Sequence, residues 1–77
     1  MNVETDYETK ELIAAINHFL SKLDYDDRFL FVRRYWFADS VKDIAAAMNS
    51  RENRISVRLF RTRKKLYQTL KEEGLLE

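Results

Sequence analysis

Seventy-seven residues make one small domain, near the size at which a single core supplies only about 3–5 kcal/mol. An apolar share of 45% argues against wholesale disorder, while the absence of proline and the lone Gly74 remove the turn signals of an all-β domain. With no cysteine, disulfides, thiolate zinc sites and cysteine nucleophiles are excluded, and the net charge of +1 conceals a strong segregation along the chain.

Seven acids and two lysines in residues 1–27 give a charge of −5, whereas seven bases and one acid in residues 51–66 give +6. The basic run points to a polyanion, because it starts where two short helical patterns meet in a tight turn. A merely solvated charged face is the simpler alternative.

In chain order, residues 1–7 are polar and expected to form a flexible tail, with the folded domain spanning residues 8–77. From about Glu8 a helical pattern begins, with Leu12, Ile16, Phe19, Leu20 and Leu23 on one face. His18, the one histidine, has no Asp, Glu, Cys or His four residues on and reads as a surface or boundary residue. Asp24, Asp26 and Asp27 then suit the positive end of a second helix, and they lack the glycine and terminal glutamate of a calcium loop. That helix, about Asp26 to Phe37, carries Phe29, Leu30, Phe31, Val32, Tyr35, Trp36 and Phe37. Apolar nearly all round, it is expected to be central, its aromatics serving core packing rather than base stacking. One of Arg33 and Arg34, which interrupt the run, is predicted to pair with Asp43.

A third helix, about Val41 to Met48 with Ser40 or Asp39 as N-cap, leads to a turn at Asn49, a residue that tolerates left-handed backbone. Small alanines at Ala45, Ala46 and Ala47 suit close helix approach, and Ser50 is a good N-cap for a long fourth helix from about Arg51 to Glu73. Gly74 suits a left-handed C-cap, with Leu75 and Leu76 folding back. On a wheel of about 100° per residue, Ile55, Leu59, Thr62 and Leu66 share the inward face and Leu70 continues it. Asn53, Val57, Phe60, Arg61 and Lys64 point outward, flanked by Arg54 and Ser56. The outward face is small or polar near its start, suited to base edges, and basic further on, suited to phosphates. Outward Phe60 suits a thymine methyl, a neighbouring helix or a protein contact. The fold class is therefore all-α, a small four-helix bundle containing a helix-turn-helix of the DNA-binding kind.

Three segments carry a family resemblance: Asp27-Arg28-Phe29-Leu30-Phe31-Val32-Arg33-Arg34-Tyr35-Trp36, Ser40-Val41-Lys42-Asp43-Ile44-Ala45, and Ile55-Ser56-Val57-Arg58-Leu59-Phe60-Arg61-Thr62-Arg63-Lys64-Lys65-Leu66. From Leu23 to Leu70, and weakly into the first helix, the chain resembles the C-terminal region 4 of sigma-70-like bacterial RNA polymerase sigma factors, with the closest likeness to the extracytoplasmic-function group. The resemblance implies recognition of the −35 promoter element by the fourth helix. Base-reading positions would be Glu52, Asn53, Ser56 and Val57. Phosphate contacts would come from Arg51, Arg54, Arg58, Arg61 and Lys64, helped by Ser40 and Lys42. It also implies docking on the flap of the polymerase β subunit, and an anti-sigma factor as a further partner.

Departures from the family pattern are Asp24 for the usual proline, Asn49 for the usual turn glycine and Arg54 for a common threonine. The region with which sigma factors bind the polymerase core is not among these residues, so an excised C-terminal domain or a stand-alone relative is expected. Two alternatives stand beside the promoter-reading role: an independent helix-turn-helix regulator, which would dimerise, and a protein-interaction module docking on polymerase or an anti-sigma factor. No catalytic residues, metal site or cofactor are expected, since there is no ligand cluster, Gly-rich phosphate loop or nucleophile set beside a base. No apolar run reaches membrane-span length and no leader pattern is present, so a soluble cytoplasmic monomer without membrane contact is the expectation.

Overall fold

Four helices follow one another in a computed structural model that describes residues 3–76, with side chains from Asp6 onward, and no strand occurs among these residues. Helix α1 (Val3–Lys22) starts earlier than its apolar pattern suggests. Residues 3–7, expected in a flexible tail, are helical, and the rest of that expectation, residues 1 and 2, lies outside the described residues. The apolar stripe sets which face of α1 packs, whereas the helix itself continues past it toward the N-terminus. Leu20 is buried and Ile16, Phe19 and Leu23 pack beside it, while Tyr7 and Ile13 stay exposed. His18 is exposed, as expected.

Helix α2 (Tyr25–Tyr35) begins with Asp24, whose carboxylate accepts the Asp27 N–H at 2.8 Å. A cap of this kind satisfies one of the free amides of the first turn. At the other end Arg33 and Arg34 lie in the last turn, where cations suit the negative end of the helix dipole. The chain then turns sharply through Ala38, at φ 57°. This turn brings the Asp39 N–H onto the Arg33 carbonyl at 3.0 Å and decides the ion pairing. Asp39, not the predicted Asp43, takes Arg33 (Nε to Oδ2, 2.6 Å), and the Asp39 carbonyl accepts from Arg34 Nη1 at 3.0 Å. Asp43 faces solvent one turn into the next helix.

Helix α3 (Val41–Ala47) is capped by Ser40, whose Oγ accepts the Asp43 N–H at 3.0 Å. It closes through Asn49 at φ 51°, with Asn49 N–H bonded to the Ala46 carbonyl and Ser50 N–H to the Ala45 carbonyl. This pair of bonds is a Schellman closure. Ser50 lies one residue before the N-cap position, which Arg51 takes, and so does not cap the following helix. Helix α4 (Glu52–Glu72) opens at Arg51 with no side-chain cap. Its far end repeats the closure: Gly74 at φ 75° donates to the Lys71 carbonyl, and Leu75 donates to the Leu70 carbonyl.

Each of the first three helices packs on α4, which makes α4 and not α2 the centre of the bundle. Leu30, Ile44 and Ile55 are wholly buried where α2, α3 and α4 converge, with Phe31, Ala45, Leu59 and Leu20 around them. Ile55, Leu59, Thr62 and Leu70 form the buried stripe of α4, with Leu66 half-buried, as the wheel predicts. Only Ala45 of the three alanines lies at a close approach; Ala46 and Ala47 are exposed. From α2 only Leu30 and Phe31 are buried, because the helix ends at Tyr35 and leaves Tyr35, Trp36 and Phe37 on the surface. Phe31 still reaches the rings of Tyr35 and Trp36, with centroids 4.7 and 6.2 Å away.

Candidate nucleic-acid interface

The first turns of α4 carry the candidate surface, and α3 with its turn positions them. The four residues between Ala47 and α4 (Met48, Asn49, Ser50 and Arg51) plus the closure onto Ala45 and Ala46 fix how α3 leads into α4. Ile44 and Ile55, both wholly buried, lock the two helices face to face. With Ile55 inward, Glu52, Asn53, Ser56 and Val57 all emerge into solvent.

A shallow groove along this face is lined by Arg51, Asn53, Arg54, Val57, Arg58 and Arg61. A second concavity at the helix start is bounded by Asn49, Ser50, Arg51 and Arg54. The interface thus alternates polar or small side chains with guanidinium groups. Arg51, Arg54, Arg61 and Lys64 are exposed, and no ion pair engages them among the described residues. Lys42 is exposed on α3, while the Ser40 hydroxyl is committed to its cap. Phe60 is 58% exposed and stands one turn from Ser56 and Val57 on the same helix.

Arg58 differs from the other cations. Its Nε donates to Asp27 Oδ1 at 2.9 Å, Nη2 lies 2.8 Å from the same oxygen, and Asp24 Oδ1 is 3.9 Å from Nη2. The guanidinium expected to meet a phosphate is instead held by the start of α2. Sequence reasoning missed this tie, the Asp39 pairing and the bond from Arg63 Nη1 to the Tyr35 hydroxyl at 2.8 Å. The first and last join residues 31 and 28 positions apart, for which no local spacing gives a signal. Among the described residues no His, Cys, Asp and Glu side chains group so as to hold a metal ion. No helix there is long and apolar enough to cross a membrane.

Compared with known protein families, residues 13–66 match Sigma-70, region 4. The chain belongs to the sigma-70 region 4 family. The match runs from the middle of α1 through α2 and α3 and ends at Leu66 of α4, so it contains the whole helix-turn-helix. It reaches further into α1 than the resemblance of Leu23 to Leu70. No curated protein and no solved structure matches the chain. Sigma-70 region 4 domains bind promoter DNA at the −35 element in transcription initiation and bind RNA polymerase. Their role is DNA binding and regulation rather than catalysis.

Proposed function

We propose that this region 4 domain reads a −35 promoter element by laying the start of α4 in the major groove. The observation that carries this is the exposed quartet Glu52, Asn53, Ser56 and Val57, accompanied by the exposed cations Arg51, Arg54, Arg61 and Lys64, which have no ion pair among the described residues. Asn53 suits bidentate bonding to an adenine edge, Glu52 suits a cytosine amine, and Val57 suits a thymine methyl. The arginines, Lys64 and Lys42 set register on the phosphates without reading sequence. The domain acts as a non-enzymatic monomer in the cytoplasm, as part of a sigma factor or a stand-alone relative, and docks on the polymerase β flap.

The test is a fluorescence-anisotropy titration of labelled duplexes, a −35-like pool against random DNA, at several salt concentrations. Tighter binding to a subset of the pool, with a steep salt dependence from several phosphate contacts, is the expected result. Weak binding indifferent to sequence would refute base reading. It would favour a second reading, a module that docks on polymerase or an anti-sigma factor, for which the exposed Trp36, Phe37, Phe60 and Tyr67 are the supporting observation.

A further inference from the structure

Arg54, Arg58 and Arg61 follow one another at i, i+4 and i+7 on α4 and line the same groove. Two of them are exposed and without an ion pair among the described residues; the side chain of Arg58 is only 27% exposed, with two nitrogens converging on Asp27 Oδ1. Asp24 stands behind that pair, holding the Asp27 backbone through its own cap. We propose that Asp27, supported by Asp24, is a positioning residue that withholds Arg58 from the DNA phosphates. This rests on the DNA-binding reading of the same helix.

The physical argument is one of exchange. A phosphate reaching Arg58 has to displace a carboxylate that already satisfies two of its nitrogens, and the displaced carboxylate then faces the polyanion. Replacing one charge-assisted contact by another changes little, and the remaining acid repels the backbone. Arg58 therefore contributes no net phosphate contact while Asp27 is ionised and in place. Because phosphate contacts are indifferent to sequence, the pair restrains binding to all DNA and leaves base reading to Asn53 and its neighbours.

The experiment compares wild type, Asp27→Asn, Asp26→Asn and the double variant Asp27→Asn with Arg58→Ala, on a specific duplex chosen from the pool and on random DNA. Asp26 has the same charge and the same helix turn but no contact with Arg58 among the described residues, so it controls for net charge. Asp27→Asn is expected to steepen the slope of log K against log salt by about 0.9, which enlarges the affinity loss between 50 and 200 mM salt about three- to fourfold. The change is expected equally on both duplexes, and is absent from Asp26→Asn and from the double variant. Steepening that persists without Arg58, or that Asp26→Asn reproduces, overturns the proposal; so does weaker binding by Asp27→Asn at unchanged slope. If Asp27→Asn fails to fold by circular dichroism, Arg58→Ala replaces it, and its salt slope is expected to equal that of wild type, because Arg58 makes no net phosphate contact while Asp27 holds it. A folded Arg58→Ala whose slope falls by about 0.9 would then overturn the proposal. A wild-type protein without salt-dependent binding would instead bring down the DNA-binding reading, and this inference with it.

Discussion

Asn53 and Arg61 stand two turns apart on α4, and they are expected to fail differently. Asn53→Ala should weaken the specific duplex by about 1–3 kcal/mol and leave random DNA nearly unchanged, because it removes a base contact. Arg61→Ala should weaken both alike and reduce the salt slope by about one phosphate. Anisotropy on the two duplexes separates these outcomes, and equal loss for Asn53→Ala would remove it from the reading set. On α3, Ser40→Ala deletes the bond to the Asp43 N–H and should cost about 1 kcal/mol of stability in urea titration. The sequence left Ser40 and Asp39 as candidate caps, and the structure selects Ser40. The partner of Arg33 was not readable, since Asp39 and Asp43 both lie within reach in sequence and only the left-handed turn at Ala38 selects Asp39.

Among the described residues, helix ends depend on three residues with positive φ: Ala38, Asn49 and Gly74. Gly74 has open space around it, so the cost of Gly74→Ala is that of the backbone alone, about 1 kcal/mol of destabilisation. Ala38 already carries such a cost. Ala38→Gly should therefore raise the thermal midpoint or leave it unchanged, the relief being partly offset by a more flexible unfolded chain. A lowered midpoint would show that the Ala38 methyl contributes packing that outweighs its strain. The Gly74 closure could be read in advance from a lone glycine after a long amphipathic stretch. Ser50 misled: its type suits a helix start, but α4 begins one residue later and Arg51 stands at the N-cap position.

Taken whole, the molecule has a small core gathered on α4. Ile55 is wholly buried at the meeting of helices, and Ile55→Ala is expected to cost about 2–5 kcal/mol. Against a total of about 3–5 kcal/mol for a domain of this size, that variant should be largely unfolded by far-UV circular dichroism at 25 °C. A cooperative unfolding curve close to wild type would mean that the core stability is carried elsewhere, on the Leu20 and Leu70 side where α1 meets α4. The same placement explains why stability and the DNA surface are linked. Ile55 sits between Arg54 and Ser56, so the residue that anchors α4 also orients the face proposed to meet the promoter.

By itself the sequence determined the four helices, the inward stripe from Ile55 to Leu70, the break at Asn49 and the polar-then-basic outward face of α4. These follow from periodicity, backbone tolerance and charge, all of which act over a few residues. Only the tertiary structure decided that α4 rather than α2 is the hub, that Trp36 and Phe37 lie at the surface, and that Arg58 belongs to Asp27. An apolar helix does not announce how many neighbours will cover it, and coverage depends on where the chain turns. Arg58 shows the same limit for a charge. The family resemblance implies a phosphate contact for it, yet its engagement was settled by a carboxylate 31 residues earlier that folding brought to 2.8 Å.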